Sequence, residues 1–538
     1  MINLFPNGWL STLGGSEYIK MNNKKIFSIL FAIVVLGFFL RAYNLGEKSF
    51  AGDEFFDVAA AYGFHQTGQW KAWDFKTDAV AVDENLTEDI KKSRNERSWI
   101  YRWQVAQLFK IFPPAESVAR LVSIFWGVIS IVLMYFFSTY FTKNKTIGLL
   151  SAFLFSVSVS AIVLDRMLRM YAMFFPVFVA FSWSVYMLWE EKYAGKIGII
   201  KLIQEKIIVN PVWILPTFLF GLLGYHLQPL VVDIAPVFFV YCLTQVIFVY
   251  FKTKSFFNKY VVAVATMFVA YLVVYFYFPQ IIIGNSGIFE IFESNYAYVN
   301  RLSDNYSFFS VALVLMAYGS YMMFNDEKRF LSKRALWMAL SYLVIIFLAI
   351  FVWSVGPFDR YIFIARSFEM TLLASGIFYV ADCLRNNFKI NKEKIFYLSL
   401  LVMLVLIPNW KFLSSDEGIY DDNPVRDELD YRSVFEYVKK NAQAGDVLIT
   451  REYRNYYFSD LNLEVYDFGG EFNLQNKLIS KDYLNKIRSE NKSGWIVIPE
   501  KDNAFLKKGV LEYIEDNFEK KESKEIKGEG MVYYWNNN

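Results

Sequence analysis

The sequence is poor in the residues that most often build metal and redox chemistry, with two cysteines and two histidines in 538 residues. Cys242 and Cys383 fall in or beside apolar runs, which argues against a disulfide framework and a cysteine-based metal site. His65 and His226 leave little material for a zinc site. There is no Gly-rich phosphate loop of the P-loop or dinucleotide-binding type, and no Gly-x-Ser-x-Gly elbow. A nucleotide-fuelled pump is therefore unsupported. An excess of one charge is also missing: 55 Lys and Arg stand against 52 Asp and Glu, so the total gives no reason to expect nucleic acid. No internal repeat or low-complexity segment is visible.

What the chain has in abundance is apolar surface. Apolar residues make up 55%, aromatic residues 19%, and the mean hydropathy is +0.27, too high for a soluble globule of this size. Apolar runs fall near 24–43, 117–141, 147–164, 171–190, 211–229, 230–251, 260–280, 307–325, 335–355, 361–381 and 395–410, predicting about eleven transmembrane helices. Lys24/Lys25, Lys143/Lys145, Lys192/Lys196/Lys201/Lys206, Lys252/Lys254/Lys259, Lys328/Arg329/Lys333/Arg334 and Arg385/Lys389/Lys392/Lys394 occupy alternate gaps. By the positive-inside rule these gaps are cytoplasmic, which places the N-terminus inside and the C-terminal residues outside. Met21 is a candidate initiator. The run that follows it lacks a small-residue cleavage site and carries Arg41, Tyr43 and Asn44 instead, so it reads as an uncleaved first span.

The expected class is a mainly α, multi-pass cell-membrane protein, with a transmembrane domain over 1–410 and a soluble extracytoplasmic α/β domain over 411–538. A long outer loop, about 44–115, carries amphipathic stretches at Phe55–Tyr62 and Trp99–Phe109 that suit interfacial helices. In the C-terminal part, Tyr431–Asn441 predicts a helix, Ala444-Gly-Asp a turn and Val447–Thr450 a strand. Gly494–Pro499 predicts a second strand and Phe505–Phe518 a second helix.

Ionisable groups at a bilayer cost about 2–3 kcal/mol each and ask for a reason. Asp53-Glu54 lies early in the outer loop, where adjacent carboxylates could act as a general base and its electrostatic partner, or simply favour a helix N-terminus. Asp165, Arg166 and Arg169 occupy an outer turn just before Tyr171. If that turn is helical, Arg166 and Arg169 share a face and can grip one phosphate; the alternatives are snorkelling and a local Asp165–Arg169 pair. Arg120 is a phosphate ligand or a span-end anchor pairing with Glu116. His226, with Asp233 beyond it, reads more readily as structural than catalytic. Asp359-Arg360-Tyr361 opens a late span, and Arg366, deeper in that span, is expected to face a polar cavity.

Five segments carry a family resemblance. Leu40-Arg-Ala-Tyr-Asn-Leu-Gly with Phe50-Ala-Gly-Asp-Glu-Phe and Ala59-Ala-Ala resembles the opening of GT-C membrane glycosyltransferases, most nearly the dolichyl-phosphate-mannose protein mannosyltransferase and aminoarabinose transferase group. Val118-Ala-Arg-Leu-Val-Ser-Ile-Phe-Trp-Gly, Asp165-Arg-Met-Leu-Arg-Met-Tyr, Asp359-Arg-Tyr and Tyr431–Thr450 follow in the family's order. The prolines that the family often carries in the first loop are absent from Asn95-Glu-Arg-Ser-Trp-Ile-Tyr-Arg. The Trp-Trp-Asp-Tyr-Gly motif of oligosaccharyltransferase catalytic subunits is also absent, which disfavours transfer of a whole N-glycan.

The resemblance implies a GT-C-like bundle that moves a sugar from a polyprenyl-phosphate donor to an extracytoplasmic hydroxyl on protein, glycolipid or cell-wall glycan, with inversion. It implies Asp53 as base, Glu54 either to orient it or to touch the acceptor, and Arg166, Arg169, Arg120 and Arg360 as ligands of the donor phosphate. Asp165, Tyr171, His226, Tyr361 and Arg366 would line the cavity. No cofactor is required by this scheme, and a divalent metal is left open. A flippase or transporter of lipid-linked sugars, or a non-catalytic membrane subunit, is the alternative. Gly- or Pro-broken spans in matching halves, which would favour a transporter, are not evident.

Overall fold

The computed structural model describes residues 22–50, 52–70, 98–193, 195, 197–206, 209–277, 295–326, 331–353, 356–388, 391–413, 430–450, 454–461, 463–467, 480–498, 506, 508–527 and 531–537. The candidate start at Met21, the residues Lys196, Lys328, Arg329 and Lys389, and Asn95–Arg97 lie outside that set. Two compact units result: up to Arg41, Ile124–Asp165 and Tyr171–Asp422 form the first, and Ala42–Ser123, Arg166–Met170 and Asn423–Asn538 the second. This division differs from a boundary at 410/411, because Ala42–Ser123 group with the C-terminal residues.

The first unit is helical. Seven helices are long and apolar enough to cross a bilayer: Asn23–Ala42, Glu116–Thr142, Tyr171–Glu190, Pro229–Thr253, Lys259–Tyr277, Ser332–Phe351 and Asp359–Asn387. The expected span at 147–164 is instead a bent pair, Lys145–Ser156 and Val159–Arg166, meeting at 59°. The runs at 211–229 and 307–325 give the shorter helices Pro211–Leu227 and Phe309–Phe324, and that at 395–410 the 15-residue helix Lys392–Leu406. All eleven runs thus yield helices, and seven to eight have spanning length among the described residues.

The bend is sustained by a distant side chain. Where the helix breaks, the Asn305 carbonyl oxygen accepts from the Ser158 hydroxyl (2.7 Å), the Ser160 backbone N–H (3.2 Å) and the Ser160 hydroxyl (3.1 Å), so a side chain from elsewhere satisfies the interrupted backbone. The innermost helix is Asp359–Asn387, whose most apolar stretch is 94% buried, against 12% for Lys259–Tyr277. Its contact with Phe309–Phe324 depends on glycine. A Cβ on Gly376 would lie 2.0 Å from the Leu315 carbonyl oxygen, and one on Gly319 2.4 Å from that of Leu372.

Acidic residues end the Tyr171–Glu190 helix, a position the helix dipole disfavours. Basic residues from the expected cytoplasmic gaps offset them: Lys333 and Lys259 reach Glu190 at 2.7 and 3.4 Å, and Arg334 reaches Glu191 at 2.7 Å.

The second unit contains the expected α/β portion. Strands β1 (Val447–Thr450), β2 (Glu464–Asp467), β3 (Ser493–Ile498), β4 (Glu519–Lys520) and β5 (Met531–Asn536) form one sheet in the order β2-β1-β3-β5-β4. β2, β1 and β3 run parallel, and β5 and β4 antiparallel. β1 and β3 are almost wholly buried, as central parallel strands are, which explains their unbroken apolar sequences. Val447, Ile449, Ile496 and Ile498 pack with Leu484, Ile487, Val510 and Ile514 of the helices Lys481–Glu490 and Val510–Asn517. Gly494 is required by Trp535, since a Cβ there would come within 2.2 Å of the indole. Asp446 stitches β1 to β3 by accepting from the Trp495 indole N–H at 2.9 Å and from the Ser493 hydroxyl.

Candidate active site

The candidate site lies in the second unit, where the residues after Ala42 meet the start of the Glu116–Thr142 helix and the short segment Arg166–Met170. Gly52, at φ +49°, turns the chain into the helix Glu54–Thr67, whose first turn holds Glu54 and Asp57. Acids suit that turn because the unsatisfied N–H groups give it a partial positive charge. Residues three apart share a helix face, and both Glu54 and Asp57 point inward.

Glu54 is the hub of this arrangement. Its Oε1 accepts from Arg120 Nε at 2.9 Å and from the Leu168 N–H at 2.7 Å, and its Oε2 from Arg120 Nη2 at 2.7 Å. Asp57 lies between two guanidinium groups, accepting from Arg102 Nε at 2.7 Å and from Arg169 Nη1 at 2.8 Å. Asp53 differs from both. Its side chain is 32% exposed, with Arg169 Nη2 at 3.3 Å from its carboxylate and Arg169 Nη1 donating to its backbone carbonyl at 2.9 Å. Three carboxylates therefore face three guanidinium groups, and only Asp53 among them opens to solvent.

The structure brings Asp53, Glu54, Arg120 and Arg169 together and alters the expected roles of several residues. Arg120 has all five donors engaged: two on Glu54, and the others on the backbone carbonyls of Leu45, Lys48 and Ser49 at 3.0–3.1 Å. It secures the loop instead of offering donors to a phosphate. The shared helix face expected for Arg166 and Arg169 is corrected, because the helix Val159–Arg166 ends at Arg166 and Arg169 lies in the turn beyond. Arg166 donates to the Tyr43 carbonyl at 2.5 Å.

Asp165, Tyr171, His226, Arg360, Tyr361 and Arg366 belong to the first unit. Two of them are held in buried ion pairs. Asp165 is buried against Arg41 at 2.8 Å, in space left by Gly127, where a Cβ would come within 2.5 Å of the carboxylate. Arg366 is fully buried and pairs with Glu369 at 2.9 Å and Asp359 at 3.1 Å. Tyr306 also donates to Glu369, at 2.7 Å. Tyr171 is buried and accepts from Gln228 at 2.9 Å, and His226 lies in the last turn of the Ile214–Leu227 helix. Arg360 lies over the rings of Phe358 and Tyr361 at 4.4 and 5.2 Å.

The sequence reading missed Asp57, Arg102 and Tyr457. A signal existed for Asp57, which stands three residues after Glu54 in a predicted helix. Tyr457 gave none: it accepts from the Phe50 N–H at 2.7 Å and donates to Glu116 at 2.9 Å, across more than 300 residues of sequence. Burial, with Glu116 beside it, pushes the Tyr457 phenol well above its ordinary value, so it remains a donor. Each of the site's carboxylates faces an arginine. Among the described residues no group of three His, Cys, Asp or Glu side chains is disposed to hold a metal.

No known family profile matches the sequence, and no curated protein matches it. Solved structures do resemble it. The archaeal oligosaccharyltransferase AglB from Archaeoglobus fulgidus, in complex with an inhibitory peptide and a dolichol-phosphate, matches with a TM-score of 0.57 at 12% identity, over 92% of this chain and 72% of that one. The A. fulgidus oligosaccharyltransferase in complex with zinc and sulfate gives 0.52 at 11% identity, over 91% and 71%. ArnT from Cupriavidus metallidurans, bound to undecaprenyl phosphate, gives 0.54 at 12% identity, over 95% and 98%.

Proposed function

We propose, from the GT-C fold that this chain shares with those membrane glycosyltransferases, that it transfers a sugar from a polyprenyl-phosphate carrier to an acceptor hydroxyl outside the cytoplasm. The observation that carries the reading is the inequality among the three carboxylates. Glu54 and Asp57 are buried against arginines, while Asp53 is aimed by Arg169 and remains accessible.

Asp53 then acts as the general base. It takes the proton of the acceptor hydroxyl as that oxygen bonds to the anomeric carbon, and the bond from that carbon to the phosphate oxygen breaks with inversion. Arg166, at the end of its helix, and Arg169, in the turn beyond it, meet the charge developing on the departing lipid phosphate. Glu54 is a positioning residue: it holds Arg120 and the Leu168 N–H together, and so fixes the arginine turn beside the loop that carries Asp53. No step is routed through a metal ion. The alternating Lys and Arg distribution supports an orientation with the N-terminus in the cytoplasm and the site outside. AglB and ArnT were solved with lipid phosphates, which supports a donor of that class here.

The test is release of polyprenyl phosphate by the purified protein in nanodiscs, across a panel of radiolabelled polyprenyl-phosphate monosaccharides with membrane extract as acceptor. Release that needs both acceptor and Asp53 establishes the transferase and names the donor. Turnover by Asp53→Asn at the wild-type rate would remove Asp53 as base, and lipid binding without release across the panel would favour a transporter.

A further inference from the structure

The second unit also encloses an open cavity of about 390 Å³, a size ordinary for small-ligand sites. Its walls include Tyr62, Glu116, Arg432, Lys439, Tyr456 and Asp460. None of these takes part in the chemistry above.

The charges in this cavity are mutually matched. Arg432 lies 3.5 Å from Glu116, Lys439 bonds Asp460, and Glu436 leaves the lining one negative charge in excess. Such a lining offers no positive field for a phosphate or a polyanion. It offers instead a dense set of donors and acceptors beside half-buried aromatic rings. Tyr456 and Tyr62 meet edge to face at 5.2 Å, and Tyr456 also packs on Phe50 at 5.1 Å. The lining residues sit on helices, on the Pro114–Ala115 connection and, for Asp460, in the turn after Asn455–Phe458, with no strand edge among them that could pair with a peptide backbone. Aromatic faces flanked by carboxylate acceptors and basic donors suit a hydroxyl-rich ring.

We infer that this cavity binds a pyranose unit of the acceptor, so that the acceptor is a saccharide chain. This rests on the transferase reading and specifies its second substrate. The cavity also connects with the reacting loop. Tyr457 bonds both Glu116 and the Phe50 N–H, and Glu116 stands one helical turn, about 6 Å of rise, before Arg120. A sugar hydroxyl that engages Glu116 is thereby held a turn from the clamp on Glu54 and the neighbouring Asp53.

The experiment is saturation-transfer NMR on the full-length protein in nanodiscs, without donor lipid. The probes are soluble manno-, gluco- and N-acetylglucosamine oligomers and a Ser/Thr peptide of similar mass. At least one saccharide should receive saturation on its ring protons. Tyr456→Ala should weaken that binding by roughly tenfold, as loss of an aromatic contact does. Asp460→Asn, at an exposed position and so safe for folding, should weaken it by roughly threefold. Binding of polyprenyl phosphate should be unchanged in both. Saccharide binding indifferent to both substitutions, or binding of the peptide alone, overturns the inference. Turnover onto peptide without saccharide binding would remove the cavity's role and keep the transferase; saccharide binding without any turnover would do the reverse.

Discussion

Two groups of buried charge, one in each unit, show what an arginine can be used for. In the first unit, Arg366 is closed off completely, with Glu369, Asp359 and the Arg301 carbonyl around it. Arg41 and Asp165 are equally enclosed. In the second unit, Glu54 and Asp57 are enclosed in the same manner, but Asp53 beside them is left a third open. Ion pairs sealed on every side hold helices together and set their register. An ion pair with one open member can also exchange a proton with something that arrives. The same residue types serve both ends, and exposure separates them.

That contrast can be broken or sharpened by substitution. The largest effect is expected from Asp53→Asn, which should lower polyprenyl-phosphate release by about 10²- to 10⁴-fold, as loss of a general base does, with an unchanged thermal midpoint. Arg366→Ala should do the opposite: it strands two buried carboxylates and destabilises the fold by about 3–5 kcal/mol, seen as loss of the monodisperse peak on size exclusion. Equal stability of that variant and wild type would show the first-unit cluster to be less enclosed than described. Asp57→Asn falls between them. Loosening Arg102 and Arg169 should cost about 1.5–3 kcal/mol in a thermal-shift assay and reduce release without abolishing it. The smallest effect belongs to Tyr457→Phe, about 1 kcal/mol. Because the Tyr457 phenol is pushed up in the folded protein, its hydrogen bond contributes fully below the ordinary tyrosine value of about 10, so the difference from wild type should stay flat with pH up to that point.

Much of the architecture was legible because it is written in local pattern. Long apolar runs separated by lysines gave the helices, and Val447–Thr450 and the run at Gly494 gave central strands. Asp53, Glu54, Arg120 and Arg169 were legible as a group only through the family resemblance. What escaped depends on long-range contact. The break after Ser156 contains neither Gly nor Pro; it is sustained by Asn305, nearly 150 residues away, and no window of sequence contains both. The burial of Arg366 was partly readable, since Glu369 follows three residues later on the same helix face. The division into units was not, because the segment after the first helix groups with residues beyond 430 through single contacts such as Tyr431 N–H on Ser49.

Arg120 also constrains the order in which this protein can be made. Its guanidinium terminates three carbonyls of the 45–49 loop and grips Glu54, all about 70 residues upstream. During synthesis that loop leaves the ribosome well before its clamp does. The acidic pair can therefore be built only after the Glu116–Thr142 helix has begun to insert, and a chain truncated before that helix should leave the Asp53 loop unassembled and open to proteolysis.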